Sequence, residues 1–543
     1  MTRLGTVLMI GLALTGAMGG RVTPTVADPD PSEDTTTPIK HLVVIFQENC
    51  SFDHYFGTYP HAANIPGEAG ATPFHAKPGT PTINGLSPAL LTMNPNFNKL
   101  TGLRVNPFRF PPSHQVTGGN TNDMHAEQSA YDGGLMDKFV DFTGQDVNIP
   151  GFVLPFPRTD VMGYFDGNTV TALWNYAQHF AMSDNHFGTV SGATILGHIN
   201  LISGQTHGAR WHNKNDGPNT WYSSDLPGVI FQGTIIANAN SAHDNWATKA
   251  QRVEMTGTNV GKLLNDKGVT WGWFSDGFAP NPDGTPNTTD YGINREPFQL
   301  YASTANPNHS APNSIWNVGY TLDQVDPKHP PDPANHQYDL ADFWKAAAIH
   351  RIPAVSFFKA KNSETGHPGT DSTPGQEQTF LAHTLNELQK LPEWKDMAVM
   401  IGWDDSDGWY DHQMPPIVNQ SNTQTAIPPI DALPGLGLDP ATIMGPPGSP
   451  YQARCGYGPR LPFLVISPYA KCNYVDHVIT DQSSVCRFIE DNWNLGRIGD
   501  FSFDTRAGSL LGFFDFRRGP RHDRLFLNES TGAVVDHDQG DER

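Results

Sequence analysis

Four side chains stand where short apolar runs stop and a fifth stands before a helical run, and their types suggest metal or phosphate chemistry. Glu48 and Asn49 follow "HLVVIF", His41 to Phe46. Asp404 and Asp405 follow "MAVMIGW", Met397 to Trp403. If both runs are parallel strands, three carboxylates emerge at one edge and repel one another. A divalent cation would remove that repulsion. Oxygen ligands suit Mg²⁺, Ca²⁺ or Mn²⁺, and Zn²⁺ is less typical without a histidine. Helix capping after each strand explains the same residue types. Sequence alone leaves both readings open. The fifth side chain is Thr194, in "SGATILGHINLI", ahead of a helical run from Ile195 to Ile202. Its hydroxyl could cap that helix, the simpler reading on spacing alone. It could also be a nucleophile, with helix N–H groups facing a transferring phosphoryl group and a cation favouring its alkoxide.

The elements that must position these groups are short. "HLVVIF", "PAVSFF" (Pro353 to Phe358), "MAVMIGW" and "PFLVIS" (Pro462 to Ser467) read as buried strands of a parallel sheet. Between the second and third, Phe380, Leu381, Leu385, Leu388 and Leu391 mark an amphipathic helix, so a βαβ unit is expected. "SVCRFIEDNW", Ser484 to Trp493, reads as another helix. The predicted fold class is α/β: a mostly parallel central sheet flanked by helices, with long loop insertions. The 53 glycines and 46 prolines fit such loops, among them Asn213 to Trp221, Pro280 to Pro297 and Asn306 to His336. Ligands of open α/β sheets sit beyond the carboxyl ends of the strands, where Glu48, Asn49, Asp404 and Asp405 fall.

Composition limits the partners. The 543 residues carry 55 acidic and 34 basic side chains, a formal charge of -21. That balance excludes a nucleic-acid binder, which needs clustered Lys and Arg. Arg3, the apolar run Leu4 to Met18 and small residues before Asp28 read as a secretory signal peptide over 1–27. The expected location is therefore secreted or periplasmic. A disordered leader (28–38), one catalytic domain (39–517) and a C-terminal tail (518–543) follow. No transmembrane segment is expected after the leader. Four cysteines, Cys50, Cys455, Cys472 and Cys486, do not fix a pairing, and the oligomeric state is left open.

Several long stretches, in order, resemble one family. They are "QENCSFDHYFGTYP", "AYDGGLMDKFV" from Ala130, "NHQYDLADFWKA" from Asn335, "DDSDGWYDHQMPP" from Asp404, and "RCGYGPRLPFLVISPYAKCNYVDHVITDQSSVCRFIEDNW" from Arg454. The chain resembles the bacterial phosphoesterase family of acid phosphatases and phospholipases C, related in core fold to alkaline phosphatases. The resemblance implies a divalent metal ion, Mg, Ca, Mn or Zn, on Glu48, Asn49, Thr194, Asp404 and Asp405. It implies that Thr194 is the nucleophile, passing through a phosphothreonine intermediate. His125 and His367 fall near family histidines and are candidate catalytic groups. Arg295 and His309 are candidate substrate-binding residues, and His54 and His412 could brace the metal loops. Two departures stand out. Cys50 occupies a place where the family commonly has Arg. Asn294 and Arg295 stand where a histidine pair is common.

The expected function is a metal-dependent hydrolase of phosphoric esters, read first as a broad acid phosphatase acting on small phosphoesters. The alternatives are a phospholipase C acting on phosphatidylcholine-like diesters, and a catalytically weakened secreted binding protein. "GWFSDGF" places Trp273, Phe274 and Phe278 together, either as core filling or as a cage for a choline headgroup.

Overall fold

The structure is a computed structural model that describes residues 31–148, 156–217, 220–231, 233–320, 332–370, 372–416, 418 and 456–535. The expected signal peptide and Cys455 lie outside the described residues. Eight strands form the main sheet: β1 (His41–Gln47), β2 (Ala181–Ser183), β3 (Trp271–Ser275), β4 (Gln337–Asp339), β5 (Val355–Lys359), β6 (Met397–Trp403), β7 (Phe463–Ile466) and β8 (Tyr474–Asp476). Their spatial order is β4-β3-β5-β1-β6-β7-β2-β8.

Successive side chains of a strand face opposite sides, and both sides of this sheet are covered. Val43 and Ile45 of β1 and Val399 and Ile401 of β6 join one apolar cluster; Leu42, Val44, Phe46, Ala398 and Met400 join the other. Eight helices of the described residues matter here: α1 (Phe52–Phe56), α2 (Met124–Tyr131), α3 (Thr171–His179), α4 (Thr194–Ser203), α5 (Val260–Lys267), α6 (Leu340–Ala347), α7 (Pro374–Leu388) and α8 (Ser483–Asn492). Trp174 of α3, Phe343 of α6 and Leu385 of α7 pack in the first cluster. Leu196 of α4, Leu264 of α5 and Ile489 of α8 pack in the second. The expected α/β fold with a sheet flanked by helices is present. No helix of the described residues is long and apolar enough to cross a membrane.

The register sets up the site. β1 runs parallel to β6 from His41↔Met397 to Gln47↔Trp403. Glu48 and Asn49 therefore leave the sheet beside Asp404 and Asp405.

Four expectations need correcting. "PFLVIS" is a strand, but β7 runs antiparallel to β6 and β2. Gly402 at the end of β6 pairs with Phe463 at the start of β7. The chain thus re-enters at the edge where it left, and no crossover is needed. The helix α7 does link parallel strands β5 and β6, with β1 between them. "GWFSDGF" is largely strand β3. Trp273, Phe274 and Phe278 are all buried, so this stretch is core and offers no headgroup cage. Residues 31–38 of the leader are docked rather than disordered. Trp493 Nε1 donates to the Ser32 carbonyl at 3.1 Å, and the Thr37 hydroxyl donates to Asn492 Oδ1 at 2.7 Å. The expected C-terminal tail (518–543) is likewise docked in part: its Leu525 and Leu527 are buried and exchange hydrogen bonds with Gln389 and Asn386, at the end of α7. Cys50, Cys472 and Cys486 are free thiols.

Candidate active site

Glu48 is fully buried just past β1. Lys359, the last residue of β5, brings Nζ to 2.5 Å from Glu48 Oε1 and donates to the Phe46 carbonyl at 3.0 Å. Arg295 Nε lies 2.6 Å from the same oxygen, and the Arg295 guanidinium also donates to Asn362 Oδ1. His367 Nε2 faces Glu48 Oε2 at 3.9 Å. Burial alone would raise the Glu48 pKa; Arg295 and Lys359 more than offset it and hold it at about 2. The Lys359 ammonium is pulled below its ordinary range by burial, against the attraction of Glu48.

The second strand end is acidic and buried. Asp405 Oδ1 accepts from Asn49 Nδ2 at 2.8 Å and from the Asp407 N–H at 2.6 Å, and Asn122 Nδ2 reaches both carboxylate oxygens. Burial pushes the Asp405 pKa up to about 7, against these hydrogen bonds. Asp404 Oδ1 accepts from the Asp405 N–H at 2.8 Å. Burial and then the neighbouring Asp405 push Asp404 well above the carboxylate range.

Helix α4 lies against this edge. An added Cβ on Gly197 would sit 2.0 Å from the Asp404 carbonyl oxygen, so the helix packs on the strand end with only a hydrogen between. Gln482 Nε2 donates to the same carbonyl at 2.6 Å. Thr194 is the first helical residue, and the N-cap position is Ala193. The capping explanation for the Thr194 hydroxyl therefore falls. The Ile195 N–H is instead satisfied by Asn238 Oδ1 at 3.0 Å. One turn on, His198 Nδ1 lies 2.9 Å from the Thr194 carbonyl and 3.7 Å from Asp404 Oδ2. Burial pushes the His198 pKa down to about 3, so the ring is neutral.

These residues fit a divalent cation. Asn49 Oδ1 and Asp404 Oδ2 are buried without hydrogen-bond partners, and the Glu48 oxygens meet cations only as ion pairs. Unpaired buried acceptors of this kind are costly unless a cation takes them. Glu48, His198 and Asp404 each bring one ligand atom within 4.8 Å of the others. His198 adds a nitrogen to an oxygen set, which brings Zn²⁺ within the chemistry of the site.

The sequence-derived residues divide. Glu48, Asn49, Asp404, Asp405, Arg295 and His367 converge at the two strand ends. His125 lies in α2, with Nδ1 buried and unpartnered. That helix abuts the Thr194 loop, because Glu127 Oε2 accepts from the Gly192 N–H at 3.0 Å. No described contact joins His125 to Glu48 or Thr194. His309 is engaged elsewhere, which corrects its expected role. Its ring stacks on Trp246 at 3.6 Å, and its nitrogens lie 3.0 Å from the Phe278 carbonyl and 3.0 Å from Asp244 Oδ1. With both nitrogens committed, it has none to offer a substrate.

His54 and His412 brace the loops. His54 stacks on Trp409 at 3.9 Å, with Nδ1 2.8 Å from the Gly163 carbonyl. His412 Nδ1 lies 2.7 Å from Asp53 Oδ2. Arg460 is fully buried between Asp53 and Asp411, at 3.0 and 3.1 Å. It ties the segment after Glu48 to the segment after Asp405. Cys50 is buried, and burial with nearby Glu377 and Asp404 pushes its thiol well up, so it carries no charge. Sequence reasoning missed Lys359, His198 and Asn238. A Lys closing the run "PAVSFFK" and a His four residues after Thr194 were the available signals.

The Phosphoesterase family profile matches residues 39–496, and the chain belongs to that family. It is 24% identical over 473 residues to the non-hemolytic phospholipase C of Pseudomonas aeruginosa. That match covers 84% of this chain and 54% of the relative, so the chain spans about half of that protein's length. It is 23% identical over 496 residues to phospholipase C B of Mycobacterium tuberculosis, covering 89% of this chain and 79% of the relative. Among solved structures, an alkaline phosphatase superfamily protein from Vibrio parahaemolyticus aligns over 70% of each chain, with 11% identity and a TM-score of 0.26, too loose to carry an argument.

Proposed function

We propose that the chain hydrolyses phosphoric esters, with Thr194 as nucleophile and a divalent metal on Glu48, Asn49, Thr194, Asp404 and Asp405. The observation that carries this is the seating of α4: Gly197 lets the helix headed by Thr194 lie directly on the Asp404 backbone. When bound, the metal supplies charge neutralisation for the buried carboxylates and lowers the pKa of the Thr194 hydroxyl. Thr194 Oγ1 attacks phosphorus, a Thr–O–P bond forms, and the P–O bond to the alcohol breaks. Water then cleaves the phosphothreonine and releases phosphate or its ester. His367, whose Nε2 faces Glu48 Oε2 at 3.9 Å, passes a proton to the departing alcohol in this reading, and His125 is the second candidate. Arg295 and Lys359 hold Glu48 ionised and in place.

The names of the relatives favour a phospholipid diester as substrate, ahead of the small monoesters of an acid phosphatase. The test is hydrolysis of p-nitrophenyl phosphate against p-nitrophenylphosphorylcholine, in chelator and with each divalent metal. Metal-dependent turnover supports the reading, and the preferred substrate decides between diester and monoester. Bound metal with no turnover of either ester would leave the weakened binding protein.

A further inference from the structure

From Ala69 to Asn122 the chain carries no Asp or Glu, although acids make up 55 of its 543 residues. Within that stretch the short strands Phe97–Asn98 and Leu103–Arg104 pair antiparallel, Phe97 against Arg104 and Asn98 against Leu103. The resulting ribbon is apolar where it meets water. Leu100, in its turn, is 74% exposed, Leu103 67% and Phe97 43%. Met93 ahead of it is 69% exposed, and Leu135 and Phe142 beside it are exposed as well. Asn96 brings these groups together. Its Nδ2 donates to the Met136 carbonyl and its Oδ1 accepts the Phe139 N–H, both at 2.8 Å. Single exposed apolar side chains are ordinary, but a group of them marks a surface that something covers.

Two features say what covers it. Successive strand residues face opposite sides, so Phe97 lies on one face of the ribbon and Leu103 on the other, with Leu100 at the turn. A flat protein surface covers one face at a time, whereas a fluid apolar medium surrounds the whole tip. The second feature is charge. Lys99 and Arg104 are exposed beside these side chains, and the Arg104 guanidinium lies 4.7 Å over the Phe97 ring. In a chain of formal charge -21, bases flanking an apolar tip match lipid phosphates above an acyl layer, as in segments that lie in a membrane interface. The acids of the neighbouring segment are Asp132, Asp137 and Asp141. Lys138 Nζ meets Asp132 at 2.6 Å, and Asp141 accepts the Lys99 N–H at 2.9 Å. The base of the ribbon is fixed to the candidate site. Asn94 Nδ2 donates to the Tyr410 hydroxyl at 2.9 Å, and the acid-free stretch ends at Asn122, which donates to both oxygens of Asp405.

We propose that the ribbon Phe97–Arg104 is a membrane-docking surface: Phe97, Leu100 and Leu103 enter the boundary between headgroups and acyl chains of a phospholipid bilayer, and Lys99 and Arg104 meet lipid phosphates. Docking holds the candidate site against the lipid whose headgroup it cleaves; that consequence rests on the phospholipid form of the reading above, and the docking itself does not.

The test combines Leu100→Ser with Leu103→Ser. Both side chains are exposed, so the thermal midpoint is retained. In sedimentation with phosphatidylcholine vesicles, in chelator so that the lipid is not consumed, the wild-type protein should partition onto the bilayer. The double variant should partition about 100-fold less, on the order of tenfold for each leucine withdrawn. With metal present, its turnover of vesicle phosphatidylcholine should fall in step, while kcat/KM for soluble p-nitrophenylphosphorylcholine stays at the wild-type value. Wild-type protein that remains in the supernatant, or a double variant that sediments equally with it, would overturn the docking. A wild-type dimer in light scattering that the double variant converts to monomer would assign the ribbon to a second copy of the chain and overturn it too. If the vesicle arm behaves as expected and neither ester is turned over, the docking stands and the phosphoesterase reading fails separately.

Discussion

Gly197→Ala is the sharpest test of how the site is assembled. Gly197 lies inside α4, where alanine is normally favoured over glycine by about 1 kcal/mol. Propensity alone therefore predicts a more stable protein. Packing predicts the reverse. The new methyl carbon would lie 2.0 Å from the Asp404 carbonyl oxygen and 2.7 and 2.8 Å from the Asp404 carbonyl carbon and Cα. All three are backbone atoms at the end of a central strand, and no rotamer change relieves them. Ordinary contact begins at 3.4 Å, so helix and strand end must part by about 1.4 Å. Overpacking of this kind costs about 1–3 kcal/mol, which outweighs the propensity gain. The same shift carries Thr194 away from Asp404, and a displacement near 1 Å at a reacting group costs about 100-fold in rate. The assay is kcat/KM on the preferred ester together with a thermal melt. A variant that melts at or above the wild-type temperature with kcat/KM within threefold would refute the seating of α4 as the device that positions Thr194.

Three further outcomes are expected. Thr194→Val keeps the side-chain volume and should abolish turnover with metal still bound; near-wild-type turnover would remove Thr194 as nucleophile. Lys359→Met leaves buried Glu48 short of one partner, so about 3–5 kcal/mol of stability should be lost in chelator. Added Mn²⁺ should restore part of it by supplying the missing charge, and an identical loss with and without metal would contradict the site. His412 gives a pH signature. Burial disfavours its charged ring, but Asp53 and Asp411 more than offset this and hold its pKa above 6.5. Its contribution to stability is thus full below about pH 6.5 and is lost as pH rises through the raised value. The difference in melting temperature between wild type and His412→Gln should shrink from pH 6 to pH 9. A constant difference would assign His412 to packing alone.

The acidic strand ends were legible because a strand buried on both faces is an unbroken apolar run, and the first polar residues past it mark the carboxyl edge. Pairing across that edge follows if "HLVVIF" and "MAVMIGW" run parallel, as they do. The direction of β7 was not legible. It depends on which edge the chain re-enters, and a buried run reads the same either way. Lys359 was hidden because a lysine closing a strand ordinarily points to water. His198 was hidden because a histidine in an apolar helix usually belongs to the core. His309 was misplaced by its nearness in sequence to Arg295. Its partners, Trp246 and Asp244, are over 60 residues away, and nothing in the local spacing announces them.

The central place of β1 has a consequence for synthesis. β1 is made early, yet its neighbours β5 and β6 lie more than 300 residues later in the chain. The bond from Asn49 to Asp405 spans 356 positions. At about 5–20 residues per second, a ribosome needs roughly 20–70 s to cover that distance. For that interval the strand that will hold Glu48 is an apolar segment with both hydrogen-bonding edges open. The nascent protein is thus exposed to aggregation at its future candidate site, and no metal can help it there, because two of the three carboxylates, Asp404 and Asp405, have not yet been made.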